Sequence, residues 1–415
     1  MIPIKVAGHA SATSTSEPRN PATAALQYLQ PGALNLSALP PMSLYIHWPW
    51  CVRKCPYCDF NSHEAKGEVP EQDYLDAVRL DLEQSLPLIW GRKIHTVFIG
   101  GGTPSLMSAQ ALDQLLAMVR TLLPLELDAE ITMEANPGTF ESERFKAYRS
   151  SGVNRLSIGI QSFNPAHLKA LGRIHDGDEA LRAVEIAKST FDNFNLDLMY
   201  ALPSQTLDEA RRDLETALSF EPPHLSLYHL TMEPNTVFAK YPPQLPDDDT
   251  SADMQDMIAE VTAAAGYEHY EVSAYAHKGR RARHNLNYWQ FGDYLGIGAG
   301  AHSKISFPHR ILRQARFKQP ASFIEAARRG NPVQEEREIG RADMGFEFML
   351  NALRLVDGFD PNLFGERTGM SISTISKALN EAEAKGLLYR DHKLIRPTEL
   401  GQRFLNDLQE MFLAE

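Results

Sequence analysis

Residues 45–63 read YIHWPWCVRKCPYCDFNSH and hold all three cysteines of this 415-residue chain, Cys51, Cys55 and Cys58, in the eight-residue run CVRKCPYC. Structural thiols scattered through a core do not crowd in this way. The spacing brings three thiolates to one centre, and no further cysteine exists to complete it. Iron–sulfur clusters are held mainly by cysteine thiolates, four for a closed [4Fe–4S] cubane. Three ligands therefore leave one iron open to a small molecule. The odd count and the length of the chain argue against a disulfide framework. A thioredoxin-like reading of Cys55–Pro56–Tyr57–Cys58 leaves Cys51 unexplained. A zinc site completed by His47 or His63 stays open as the alternative, although such sites usually recruit a second, distant ligand cluster that is absent here.

Outward from this run, short β-rich segments alternate with longer helical ones. Strands are expected over Leu44–His47, Thr96–Ile99, Glu130–Glu134, Arg155–Ile160, Asn195–Met199 and Leu225–His229, with helices near 71–86, 108–122, 141–150, 178–190 and 207–218 between them. Six consecutive β/α units imply parallel strands with right-handed crossovers. Six fall short of the eight that close a full α/β barrel, so the expected fold class is α/β, a partial (β/α)6 barrel. Its functional rim lies at the C-terminal strand ends. Cys51 follows the first strand, Gly100–Thr103 the second, Glu134 closes the third, Gln161 follows the fourth, and Asp197 lies in the fifth.

Residues 1–42, rich in Ala, Ser, Thr and Pro with only Lys5, Glu17 and Arg19 charged, read as a disordered extension. The barrel is expected over 43–235, an extension of it with a basic loop over 236–335, and a winged-helix-like α+β domain over 336–415. No apolar run approaches the ~20 residues a membrane span needs, and the N-terminus lacks a signal-peptide pattern. A cytoplasmic location follows as the expectation. The formal charge of −12 argues against sequence-independent binding to nucleic acid or anionic lipid.

CVRKCPYC, with GGTP at Gly101–Pro104 after a strand, resembles the radical S-adenosylmethionine (SAM) superfamily. Within it, the chain is similar to the branch that holds oxygen-independent coproporphyrinogen III oxidase (HemN) and the heme chaperone HemW. The resemblance spans about 43–405 and rests also on FIGGGTPS, MEANP, RLSIGIQSF, LGRIH, NLDLMYALPSQT and HNLNYW. It implies a [4Fe–4S] cluster on Cys51, Cys55 and Cys58. In such proteins the amino and carboxylate groups of SAM chelate the open iron, and reduction releases a 5′-deoxyadenosyl radical. The resemblance further implies that Gly101, Gly102 and Thr103 border the methionyl group, and that Glu134, Gln161, Arg173 and Asp197 line the SAM pocket. Tyr45 and Tyr57 would flank the cluster and adenosyl group. His47 reads as a packing or hydrogen-bonding residue.

Two features separate the members of that branch. The oxidase carries a fourth cysteine two residues after the third, where this chain has Phe60. HNLNYW (His284–Trp289) matches the chaperone pattern HNxxYW. Heme contact is therefore expected at His284, which makes the basic loop of the 236–335 extension a heme-binding loop, with Tyr288 as the alternative ligand and Lys278, Arg280, Arg281 and Arg283 as partners for the propionates. The implied activity is delivery of heme to client proteins, respiratory heme enzymes among them. The alternative is oxidative decarboxylation of coproporphyrinogen III, and no catalytic residue is assigned. GIGAGAHS (Gly296–Ser303) reads as close backbone packing beside the SAM site. The C-terminal helix–turn–helix is expected to pack or dock rather than read DNA, since residues 341–415 carry nine Lys/Arg against twelve Asp/Glu.

Overall fold

Alternation along the central strands decides which face of the sheet is apolar and which is polar. The computed structural model describes residues 34–139 and 142–414. Strands β1 (Met42–Trp48), β2 (Ile94–Gly101), β3 (Leu125–Ala135), β4 (Arg155–Gln161), β5 (Phe194–Tyr200) and β6 (His224–His229) lie side by side in that order, all parallel. Successive side chains of a strand point to opposite faces. Leu44, Ile46, Val97, Ile99, Met133 and Ile158 fall on one face and join a single buried apolar cluster. Ser43, Tyr45, Thr96, Glu134, Ser157 and Asp197 fall on the other. The concave interior is thus built polar, and the convex face is built for helices.

Five crossover helices cover the convex face: α1 (Glu71–Ser85), α2 (Ala109–Leu122), α3 (Ser142–Ser151), α4 (Gly177–Thr190) and α5 (Leu207–Ser219). In α2 the apolar positions Leu112, Leu115, Leu116 and Val119 recur at helical spacing and are buried. Truncating one of them, such as Leu116→Ala, would cost about 2–5 kcal/mol. Capping boxes start α4 (Asp176 with Glu179) and α5 (Thr206 with Glu209), each cap contributing about 1 kcal/mol.

After β6 comes α6 (Asp248–Ala264), then β7 (Glu268–Glu271), β8 (Ala274–Ala276) and a short helix, α7 (Arg283–Trp289). Strands β9 (Asp293–Ile297), β10 (His302–Phe307), β11 (Arg310–Arg316) and β12 (Val333–Glu338) follow. They extend one 12-stranded sheet, in the order β12-β11-β10-β9-β1-β2-β3-β4-β5-β6-β8-β7. β9 lies parallel to β1, so a seventh parallel strand joins the expected six in the central block. Buried ion pairs fasten this edge. Asp293 meets Lys304 at 2.9 Å and Arg92 at 2.7 Å, and Arg316 meets Asp81 at 3.2 Å.

The C-terminal region builds its own core around Phe348, Phe359, Phe364 and Leu379. Helices α8 (Arg341–Ala352), α9 (Pro361–Thr368) and α10 (Ser376–Ala384) precede a hairpin of β13 (Leu388–Arg390) and β14 (Ile395–Pro397), a helix–turn–helix with a wing. Gly369, at φ 67°, ends α9 in the left-handed conformation that glycine adopts without a Cβ penalty. The expected disordered extension over 1–42 is corrected at its end. Residues 1–33 lie outside the described residues, but Leu34 and Leu36 are buried in the C-terminal core. Asn35 N–H donates to Gly369 O and Leu36 N–H to Pro308 O. Two leucines with one residue between them supply an apolar face that the surrounding composition masks. No described helix is long and apolar enough to cross a membrane.

Candidate functional site

The cysteine loop springs from the C-terminal end of β1 and is closed at its base. Trp50 and Cys51 pair in parallel with His63 and Glu64, and His63 N–H donates to Pro49 O at 2.7 Å. Beneath it, Trp48, Trp50 and Tyr74 pack edge to face with ring centroids 4.8–5.7 Å apart. Tyr74 Oη donates to His47 O at 2.6 Å and accepts from Ala299 N–H at 2.9 Å. GIGAGAHS packs closely here: a Cβ on Gly298 would meet His47 O at 2.7 Å, and one on Gly300 would meet the Asn61 amide.

Cys51 is buried; Cys55 and Cys58 are half-buried at the mouth. Cys58 N–H donates to Cys55 O at 3.1 Å, and its Sγ lies 3.9 Å from Ser62 Oγ. Burial pushes the Cys51 and Cys58 thiols up, opposed by hydrogen bonds from Thr103 and Ser62 at Cys51 and from Phe60 and Ser62 at Cys58. Metal binding requires thiolates, and Arg173 supplies the compensating cation. Its Nη1 approaches Cys55 Sγ at 3.7 Å, while Nη2 donates to Asn136 Oδ1 and Gly159 O, both at 2.7 Å. Asn136 Nδ2 in turn donates to Thr103 Oγ1 at 3.0 Å. Cys55, Thr103, Asn136 and Arg173 line one cleft, with Val52 and Ile174 at its rim.

The donor set fits an iron–sulfur cluster: three thiols, a cation beside them, and no fourth cysteine in the chain. It does not fit a single zinc ion. Among the described residues no three His, Cys, Asp or Glu side chains converge on one ion. Both ring nitrogens of His47 are engaged, Nε2 donating to Asn61 O at 2.8 Å and Nδ1 accepting from Tyr45 Oη at 2.9 Å. Burial holds its pKa at about 4, so His47 packs and hydrogen-bonds.

Glu134 stands near the end of β3, and Asp197 two strands away within β5. Glu134 Oε2 accepts the Gly101 N–H at 3.0 Å. Burial, then the nearby Asp197, pushes the Glu134 carboxyl up to about 8. Asp197 accepts from Asn195 Nδ2 at 2.8 Å and from Ser157 Oγ at 3.1 Å. Burial raises it to about 6 against those bonds. Gln161 turns at φ 67° where β4 ends, a left-handed backbone that a non-glycine side chain adopts only under constraint. Gly101 (φ 116°) and Gly102 leave no room for a Cβ, which would meet the His47 ring and Trp50 O, each at 2.5 Å. Tyr45 stacks on Phe98 at 6.2 Å, and Tyr57 lies 6.3 Å from Phe238. Cys51, Cys55, Cys58, Gly101, Gly102, Thr103, Glu134, Gln161 and Asp197 therefore gather at one rim, with Arg173 reaching it from the segment after β4. Asn136 was missed, although it stands in MEANP.

The heme candidates lie elsewhere. HNLNYW forms α7, a helix rather than the expected loop, in the interior at the N-terminal strand ends. His284 Nδ1 meets Thr96 Oγ1 at 2.8 Å, and its ring stacks on Phe98 at 5.0 Å and against Tyr288 at 4.9 Å. Thr96 stands five residues before Gly101 on β2, about 17 Å along a strand. His284 is buried, and burial lowers its pKa to about 3. Two of the four basic residues are paired with acids: Arg281 with Glu268 and Asp357, and Arg283 with Asp128.

Residues 45–217 match the Radical SAM superfamily and 339–404 the HemN C-terminal domain. The fold resembles that of coproporphyrinogen III oxidase (HemN) from Escherichia coli, with a TM-score of 0.77, 23% identity and 90% of each chain covered. Fold and cysteine loop together define a radical SAM protein, and that superfamily carries a [4Fe–4S] cluster and SAM. The chain is 51% identical to heme chaperone HemW of E. coli (strain K12), covering 91% of this chain and 99% of that one. It is 48% identical to heme chaperone HemW of Haemophilus influenzae, with the same coverage. A mouse relative, radical S-adenosyl methionine domain-containing protein 1, mitochondrial, is 35% identical over 88% of this chain and 86% of its own. Within the radical SAM superfamily, this chain belongs to the HemW family.

Proposed function

We propose that this protein is a heme chaperone: it binds a [4Fe–4S] cluster, SAM and heme, and delivers heme to client proteins. The observation that carries the heme reading is the state of His284. Thr96 Oγ1 donates its own proton to Ser43 Oγ at 2.8 Å, so it accepts from His284 Nδ1–H. That leaves Nε2 with a free lone pair, and Nε2 has no hydrogen-bond partner among the described residues. A neutral imidazole oriented through one nitrogen, with the other free, is the arrangement of a metal ligand. Asn287 Nδ2, one turn along, donates to the same Ser43 Oγ at 2.8 Å. Phe60, exposed where the oxidase branch has its fourth cysteine, favours the chaperone over the oxidase.

The test is a heme titration of the anaerobically reconstituted protein beside His284→Ala. A stoichiometric Soret shift that His284→Ala weakens at least tenfold, about 1.4 kcal/mol, is expected. Absence of heme binding by either protein would overturn the proposal, and turnover of coproporphyrinogen III would assign the oxidase activity instead.

A further inference from the structure

A line of hydrogen bonds crosses the barrel interior from the cofactor rim to the heme-motif helix. Ala282 N–H donates to Tyr270 Oη at 3.2 Å. Tyr270 Oη meets His224 Nε2 at 2.7 Å, and His224 Nδ1 meets Asn195 Oδ1 at 2.6 Å. Asn195 Nδ2 donates to Asp197 Oδ1 and to Ser157 Oγ, both at 2.8 Å, and its Oδ1 also accepts from Ser226 Oγ at 3.1 Å. The amide fixes the direction of the whole chain. Because Asn195 Oδ1 can only accept, His224 Nδ1 donates, so Nε2 accepts and Tyr270 donates. Every proton points toward the Asp197 carboxylate, and bonds aligned in this way polarise one another. His224 and Tyr270 are buried throughout, so no solvent competes for the links.

The far end of this chain is a helix that cannot hold itself. α7 has seven residues, well below the ~12–15 at which a helix becomes even marginal alone. Ala282, its N-cap, offers no side-chain cap. Its first N–H groups are met by the barrel lining instead: Ala282 by Tyr270 Oη, Arg283 by Glu130 Oε2 at 3.3 Å, and His284 by Glu130 Oε1 at 3.2 Å. Two of its buried side-chain atoms, His284 Nε2 and Trp289 Nε1, have no partner among the described residues. Buried polar atoms without partners destabilise the closed position and offset part of what His284–Thr96, Asn287–Ser43 and Arg283–Asp128 contribute to holding α7 in.

We infer that Asn195, His224 and Tyr270 are positioning residues that couple the cofactor rim to α7, so that SAM engaging Asp197 loosens the helix and opens His284. A ligand's hydroxyl or cationic groups compete with Asn195 for Asp197 Oδ1. Losing that acceptor leaves the Asn195 amide held by Ser157 and Ser226 alone, and so weakens its grip on His224 and, through Tyr270, the cap on Ala282. Such coupling is reciprocal, with factors of about 5 to 150 being typical. The inference deepens the heme reading above, yet its test needs no heme, so either can fail without the other.

The experiment is amide hydrogen exchange over residues 282–289 of the reconstituted protein, with and without saturating SAM. In the wild type, SAM is expected to speed exchange of these amides about fivefold or more. Tyr270→Phe, which removes only the bridging hydroxyl, should exchange fast already without SAM and respond to it less than twofold. Asn195→Leu carries the same expectation and replaces Tyr270→Phe should that variant lose its cluster or melt early. Unchanged or slowed exchange in the wild type with SAM overturns the inference. A full SAM response in either folded variant overturns it as well.

Discussion

The Glu134 carboxylate caps the Gly101 amide, Oε2 to N at 3.0 Å, and so ties the end of the third parallel strand to the glycine turn that ends the second. Two groups that the sequence separates by 33 residues become neighbours at the C-terminal strand ends. Glu134 is largely protonated at neutral pH, because burial and then the nearby Asp197 raise its pKa to about 8 against that bond.

A cationic ligand favours the ionised carboxylate, so binding SAM releases the proton from Glu134. Affinity is then expected to rise with pH from 6 to about 8, by up to about tenfold per unit, and to level off above. Glu134→Gln should bind more weakly and with a flatter profile, leaving only the ligand's own titration. Isothermal titration in buffers of differing ionisation enthalpy measures the proton count. An unchanged profile in Glu134→Gln would sink this assignment.

Arg173 spans the cleft from Cys55 to Asn136. Arg173→Leu removes the cation that offsets thiolate charge and leaves the Asn136 and Gly159 oxygens without their donor. We expect reconstituted iron to fall by half or more, while Arg173→Lys keeps the charge and retains more cluster. Iron and sulfide content of the two variants decides. Equal loss in both would mean that the fork geometry, not the charge, is what matters.

His284 is neutral in the fold, its pKa near 3, and takes up a proton near pH 6.5 once unfolded. The depressed folded value means the contribution is complete above 6.5 and is lost as pH falls towards 3. Between pH 7 and 5 this one histidine removes roughly 2 kcal/mol of stability. His284→Gln should lose correspondingly less over that interval in urea unfolding. An identical pH dependence would show that the imidazole is solvated in solution.

Buried Asp293 sits between buried Lys304 and half-buried Arg92. Replacing it with Asn strands two cations, and about 3–5 kcal/mol should be lost. Lys304→Met keeps the Arg92 partner and should cost less. The order of the two thermal midpoints tests this, and a reversed order would place the main attraction elsewhere.

The β/α alternation and the cysteine run were readable because each is local: a period of two within strands, helical spacing between them, three thiols within eight residues. What escaped reading depends on distant partners. DYLGI (Asp293–Ile297) contains a glycine and looks weak as a strand, yet it pairs in parallel with β1 some 250 residues earlier. α7 looked like a loop because HKGRRARHN lacks an apolar stripe and the helix draws its caps from Glu130 and Tyr270. Asn195 opens one expected strand and His224 falls just before the next, Leu225–His229. Only the sheet register brings them together.

The most direct test is electron paramagnetic resonance of the reduced, reconstituted protein before and after SAM, with iron and sulfide counted on the same sample. Three thiolates with one open iron predict about four iron and four sulfide per chain, a cluster signal that SAM shifts, and loss of both in Cys55→Ala. Bound zinc without sulfide, or a cluster signal indifferent to SAM, would contradict the account.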